Sequence, residues 1–200
     1  MEDGGLINQY LSGDVRAFNH LVNRWELKIY NFIFKVLGKR EDAKDATQQT
    51  FIKVYKNLRK LKNPNKFSPW IYQIAMNICR DQMRKDKRAP STSIHGKIRT
   101  SNGEEMELAD FLSDDSASPE DSLYQGEVVE IIRRGLNMIP VEQRTVIIMK
   151  EYQGLKFREI AEILEEPLNT VKSRMYYGLT ALRKALADLE IDKEVFQYEL

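Results

Sequence analysis

Cysteine is almost missing from this chain: Cys79 stands alone among 200 residues. A lone thiol cannot close an internal disulfide, and its scarcity fits a reducing compartment, the cytoplasm. Histidine is as scarce, with only His20 and His95. These residues leave no spaced ligand set, so no metal is expected. The few glycines form no phosphate-cradling loop, and no cofactor or catalytic constellation is expected. Apolar runs such as Val146–Met149 are far too short to cross a bilayer. No basic-then-apolar leader opens the sequence, so secretion is not expected. Alternating strand patterns of any length are missing too.

What is present is charge, unevenly spread. The net charge is +1. Residues 1–88 hold 18 basic against 9 acidic side chains, residues 89–125 hold 2 against 8, and residues 126–200 hold 11 against 13. A basic first block suits a polyanionic partner, although a solvated basic surface would look the same.

Periodicity divides the chain in the same way. The first block, 1–88, reads as helices. A short one lies near Gly4–Leu11. In the next, Asp14 is a candidate cap, and Phe18, Leu21, Val22, Trp25, Ile29, Phe32, Ile33 and Val36 recur at helical spacing until Gly38. Another runs from about Glu41 to Lys60, with Ala43, Ala46, Thr50, Phe51, Val54 and Leu58 on its apolar face. After the break at Asn63–Asn65, a further helix is expected with Ser68 as cap and Pro69 at its first position. Residues 89–122 read as a flexible acidic linker. The block 123–188 supplies an amphipathic helix ended by Pro140, a second ended before Gly154, and two more between Phe157 and Leu186. The tail 189–200 carries no assignable motif. The expected fold is all-α: two small helical domains on a tether.

The helix after Asn65 carries an unusual face. At 100° per residue, Trp70, Gln73, Asn77, Arg80 and Arg84 share a stripe of about 80°. Ile71, Ile74, Ala75 and Ile78 lie on the other side and can face a core. Lys62 and Lys66 precede the stripe. Aromatic rings stack on bases, amides bond exposed base edges and cations hold phosphates, a combination suited to single-stranded or opening DNA. A buried Trp70 and merely solvated arginines are the plainer reading.

Between Phe157 and Leu186 two helical patterns flank "EEPLNT". Phe157, Ile160, Ala161 and Leu164 share one apolar face. Thr170 is the expected N-cap of the second helix. Val171, Met175, Gly178, Leu182 and Leu186 form its inner stripe, while Lys172, Ser173, Tyr176, Tyr177 and Thr180 project outward. This pattern fits a helix-turn-helix whose second helix enters a major groove, or a plain helical hairpin.

Taken together, "EDAKDATQQTFIKVYKNL", "FSPWIYQIAMNICRDQMRKDKR" and "LNMIPVEQRTVIIMKEYQGLKFREIAEILEEPLNTVKSRM" resemble regions 2 and 4 of RNA polymerase sigma factors of the extracytoplasmic-function (ECF) class. The resemblance covers nearly the whole chain and implies a specificity subunit without chemistry of its own. Region 2 would bind the polymerase clamp coiled coil through Asp45, Gln48, Gln49 and Lys53. It would melt the minus-ten element with Leu61, Lys62, Lys66, Trp70, Gln73, Asn77, Arg80 and Arg84. Region 4 would read the minus-thirty-five element with Arg158, Thr170, Lys172, Ser173, Arg174, Tyr176 and Tyr177, and would also bind the polymerase flap. The implied partners are core RNA polymerase, promoter DNA and an anti-sigma factor. The chain departs from the family pattern at Leu61, often aromatic, and at Asn169, often glycine. It also departs at Tyr177–Leu179, where an arginine-rich run is usual. A stand-alone duplex-binding regulator and a helical adaptor without DNA are the rival readings.

Overall fold

The structure is a computed structural model and describes residues 2–88 and 119–189. All regular structure among these residues is helical. The helices are α1 (Asp3–Leu11), α2 (Val15–Leu37), α3 (Arg40–Asn57), α4 (Phe67–Arg88), α5 (Pro119–Met138), α6 (Val141–Ile147), α7 (Phe157–Leu164) and α8 (Leu168–Asp188). Most of the expected linker lies outside the described residues; 119–122 form the first turn of α5.

The first four helices make one unit around α2. Asp14 caps α2 by accepting the Arg16 N–H, and Gly38 ends it at φ 79, a conformation glycine adopts without a Cβ clash. Leu21, Trp25, Ile29, Phe32, Ile33 and Val36 are buried along one stripe of α2. Burying each such side chain contributes about 1.5–3 kcal/mol. α3 meets α2 through small residues, Ala43, Ala46, Thr47 and Thr50. The buried Thr47 and Thr50 hydroxyls donate to the Ala43 and Ala46 carbonyls at 2.7 Å, so no polar group is orphaned there. Asp3 ties α1 to α2 by accepting from Arg24 at 2.9 Å and from the Trp25 indole at 3.1 Å.

α4 begins at Phe67, so Ser68 is not its cap. A 3₁₀ turn, Pro64–Lys66, runs straight into the helix, and the Asn63 side chain accepts the Asn65 N–H at 3.0 Å. That turn supplies the helix start upstream of Ser68. Pro69 still lies in the first turn, where a missing N–H costs nothing.

The second unit is built on α8. Thr145, Val146, Ile147, Ile148 and Met149 are consecutive and all buried. A one-sided amphipathic helix could not bury five in a row; this segment can because α8 packs on one side and α2 on another. The segment expected to continue as one helix to Gln153 instead widens to a π-helical turn, Ile148–Tyr152, with Gln153 N–H donating to the Ile148 carbonyl at 3.2 Å. Glu165 ends α7 in the left-handed region at φ 56. α8 starts at Leu168, placing Thr170 inside its first turn rather than at the N-cap. Pro167 takes the cap position because its extended backbone (φ −57, ψ 141) already directs its carbonyl to the Val171 N–H at 3.1 Å.

Candidate nucleic-acid interface

Isoleucine, alanine and cysteine set the orientation of α4. Ile71, Ala75, Ile78 and Cys79 are buried against α2 and α3, which turns the opposite stripe outward. Burial pushes the Cys79 thiol up to about 12. Asn77 and Arg84 are exposed, and Gln73 and Arg80 are half-buried. Trp70 is also half-buried, its ring 6.0 Å from Phe67 and packed against the core edge. Leu61 likewise leans on the core, while Lys62 and Lys66 are exposed.

The second unit covers much of this stripe. Lys66 pairs with Glu162 at 3.1 Å, and the Gln73 amide donates to Glu165 at 3.0 Å. Arg80 donates to the Leu164 carbonyl at 2.9 Å and to Asn77 at 3.1 Å. Leu164 is the last residue of α7, where carbonyls lack helical partners and the helix dipole is negative, so a guanidinium is well placed there. The Tyr72 hydroxyl donates to the Gln153 side chain, and burial raises its pKa. Arg144 donates to the Val36 carbonyl at 2.9 Å. Beside Arg80 a cavity of about 120 Å³ remains, reached by Met76, Thr145, Glu166 and Arg174. Arg84 lies apart from this contact, 3.8 Å from Asp81.

Against this, the outer side of α8 is bare among the described residues. Lys172, Ser173, Tyr176, Tyr177 and Thr180 are all exposed, and Val171, Met175 and Gly178 are buried beneath them. Gly178 lets α6 approach closely: a Cβ there would sit 3.0 Å from Ile147 Cδ1. Arg174 points away from the bare side and pairs with Glu166 at 3.0 Å. Thr170 is half-buried and Arg158 is exposed on α7. On α3, Asp45, Gln48, Gln49 and Lys53 form one exposed face.

Glu162, Glu165 and the Leu164 carbonyl are the partners that spacing did not single out. Their signal was the charge imbalance between the blocks, which placed acid on the second unit and base on the first. Among the described residues, no group of three His, Cys, Asp or Glu side chains could hold a metal. No helix there is long and apolar enough to cross a membrane.

An all-helical protein of two packed units, the second holding a helix-turn-helix, is the class that these features define. Residues 21–89 match sigma-70 region 2, and residues 130–182 match sigma-70 region 4. The ECF RNA polymerase sigma factor SigW of Bacillus subtilis is 35% identical, over 92% of this chain and 96% of its own. The RNA polymerase sigma-H factor of Pseudomonas aeruginosa is 29% identical, over 94% and 95%. The sigma factor RpoE of Bartonella quintana, solved with the anti-sigma factor NepR, superposes with a TM-score of 0.65 at 20% identity, covering 90% of this chain and all of that one. CnrH, solved with the cytosolic domain of CnrY, gives 0.63 at 22% identity, over 94% and 99%. The chain belongs to the ECF RNA polymerase sigma factors. It therefore works with RNA polymerase in promoter-specific transcription initiation.

Proposed function

We propose that this sigma factor, acting in the cytoplasm, reads two promoter elements with two differently built surfaces, and that bond formation belongs wholly to the polymerase. The α8 face, with Lys172, Ser173, Tyr176 and Tyr177, reads the minus-thirty-five duplex, with Arg158, Thr170 and Arg174 supporting it. The α4 stripe and the preceding loop, from Leu61 and Lys62 to Arg84, capture the opened minus-ten strand. Extruding a base costs unstacking energy, which contacts in a pocket recover. Asp45, Gln48, Gln49 and Lys53 on α3 bind the polymerase clamp, and region 4 binds the flap. On these assignments the functional domains are 1–88 and 123–188, joined by 89–122 and followed by the tail 189–200.

The observation that carries the reading is the α4 stripe. Gln73, Asn77, Arg80 and Arg84 occupy one surface stripe, and none of them builds the core. As described, Gln73 and Arg80 are engaged by α7 and its cap, so DNA capture requires that α7 leave. Polymerase binding to α3 and to region 4 at separated sites would hold the two units apart. An anti-sigma factor, as the family implies, would act in the opposite sense.

The test is run-off transcription by core bacterial polymerase on a promoter library, with and without this chain. Initiation from a defined promoter set is expected only with the chain. Tight duplex binding without initiation would sink the reading and favour a stand-alone regulator. Asn77→Ala should lower open-complex yield while sparing core binding.

A further inference from the structure

Two large aromatic side chains on α8 are left exposed among the described residues. Tyr176 is 69% exposed and Tyr177 60% exposed. Their rings lie edge to face, centroids 5.5 Å apart at 75°, forming one apolar platform on the helix. Lys172 sits one turn before Tyr176, and Ser173 one turn before Tyr177, so platform, cation and hydroxyl share a face. Thr180, one turn further, turns its hydroxyl back to the Tyr176 carbonyl at 3.0 Å.

What this face lacks is equally informative. The usual specific contacts in a major groove are bidentate: arginine or lysine to guanine, and asparagine or glutamine to adenine. From Val171 to Leu182 such side chains are Lys172, exposed beside the platform and able to read guanine, and Arg174, which is turned inward to Glu166. Asn169, in the first turn, is the one amide nearby. The remaining groove-edge feature that an aromatic platform can recognise is the thymine C5-methyl, which is read by apolar contact. The platform lies about 12 Å along α8 from its start, by the helical rise, within reach of a groove entered by the first turns.

We propose that Tyr176 and Tyr177 set minus-thirty-five preference by packing on thymine methyl groups. The proposal rests on the reading of α8 as the duplex-reading helix. Its chemistry favours DNA over a protein partner because lysine and serine share the face.

The test uses holoenzyme assembled from core bacterial polymerase and the full chain, on promoters recovered from the library. Each thymine of the minus-thirty-five duplex is replaced in turn by deoxyuridine, which deletes the methyl and keeps base pairing. Initiation should fall about fourfold at each contacted position, the effect of burying one methyl group. Deoxyuridine in the spacer should have no effect. Tyr176→Ala and Tyr177→Ala should erase the thymine-over-uracil ratio, while Tyr176→Phe and Tyr177→Phe should retain it. Circular dichroism of these surface variants controls for folding. If scrambling the element abolishes initiation but deoxyuridine does not matter, the methyl proposal fails and the α8 reading stands. If scrambling has no effect, the α8 reading itself fails. Recovered elements without thymine would overturn the proposal. So would alanine variants that weaken core binding yet keep the ratio, which would give the platform to a protein partner.

Discussion

Two helices of this sigma factor carry the surfaces proposed to meet DNA, and they are held in opposite conditions. The stripe of α4 lies under α7, with Lys66, Gln73 and Arg80 engaged. Among the described residues the outer side of α8 is left uncovered, and its tyrosines are exposed. Core packing accounts for the difference. α8 must bury Val171, Met175 and Gly178 against α6, so its polar side faces away from the molecule. α4 is packed on one side by α2 and α3, and its other side carries cations and amides that acidic groups of α7 can satisfy. A polar surface is thus readily occupied by a neighbour of opposite charge, whereas an aromatic platform without an apolar neighbour stays open.

The largest test of this contrast removes the cover with its core. Ile160 is fully buried, and Ile160→Ala should cost about 2–4 kcal/mol of stability. Both tryptophans, Trp25 and Trp70, lie in the first unit. Urea unfolding of the variant should therefore show helix loss by circular dichroism at lower denaturant than the change in tryptophan fluorescence. Coincident curves would mean that the two units unfold as one.

A smaller effect should follow from reversing charge alone. Glu162→Lys with Glu165→Lys replaces attraction by repulsion opposite Lys66 and removes the acceptor of Gln73. Lys66 and Glu162 are each more than half exposed, so solvent screens the pair and its loss costs less than about 1 kcal/mol. The radius of gyration from small-angle scattering should nevertheless rise, with helicity unchanged. High salt should move the unaltered chain in the same direction. An unchanged radius in both conditions would assign the closure to packing rather than charge.

The smallest effect concerns the back of α4. Cys79 is buried, and its thiol is held up to about 12. The unfolded thiol ionises first, so stability from this group is intact below about pH 9 and drains away between about pH 9 and 12. At pH 8 a thiol-reactive dye should label the native chain slowly and the urea-unfolded chain quickly. Rapid native labelling would show that α4 rocks off its core independently of the cover.

Much of this architecture was legible in the sequence. The period of α2, its Asp14 cap and its Gly38 stop follow from local chemistry, and the structure has them as expected. So do the inner stripes of α3 and α8. The helix starts at Phe67 and Leu168 were misplaced because Ser68 and Thr170 are good caps in general, while Pro64 and Pro167 had already set the backbone upstream. The π turn was missed because its cause is tertiary: only burial against both α2 and α8 rewards five successive inward residues. The candidate DNA residues were proposed from facing and chemistry on α4 and α8, and Leu61, Arg158 and Arg174 from the family resemblance alone. The engagement of the α4 stripe by Glu162 and Glu165 was not foreseen, because no periodicity reports which unit docks on which.

That docking is made within one polypeptide, and this has a quantitative consequence for the cell. A separate inhibitor can be outnumbered when more sigma factor is synthesised. A cover that travels on the same chain is always present in a one-to-one ratio, at an effective concentration fixed by the connection between the units. Extra copies of the protein therefore bring equal numbers of closed α4 surfaces. At a given ionic strength, a partner can raise the open fraction only by binding the separated units more tightly than the closed ones.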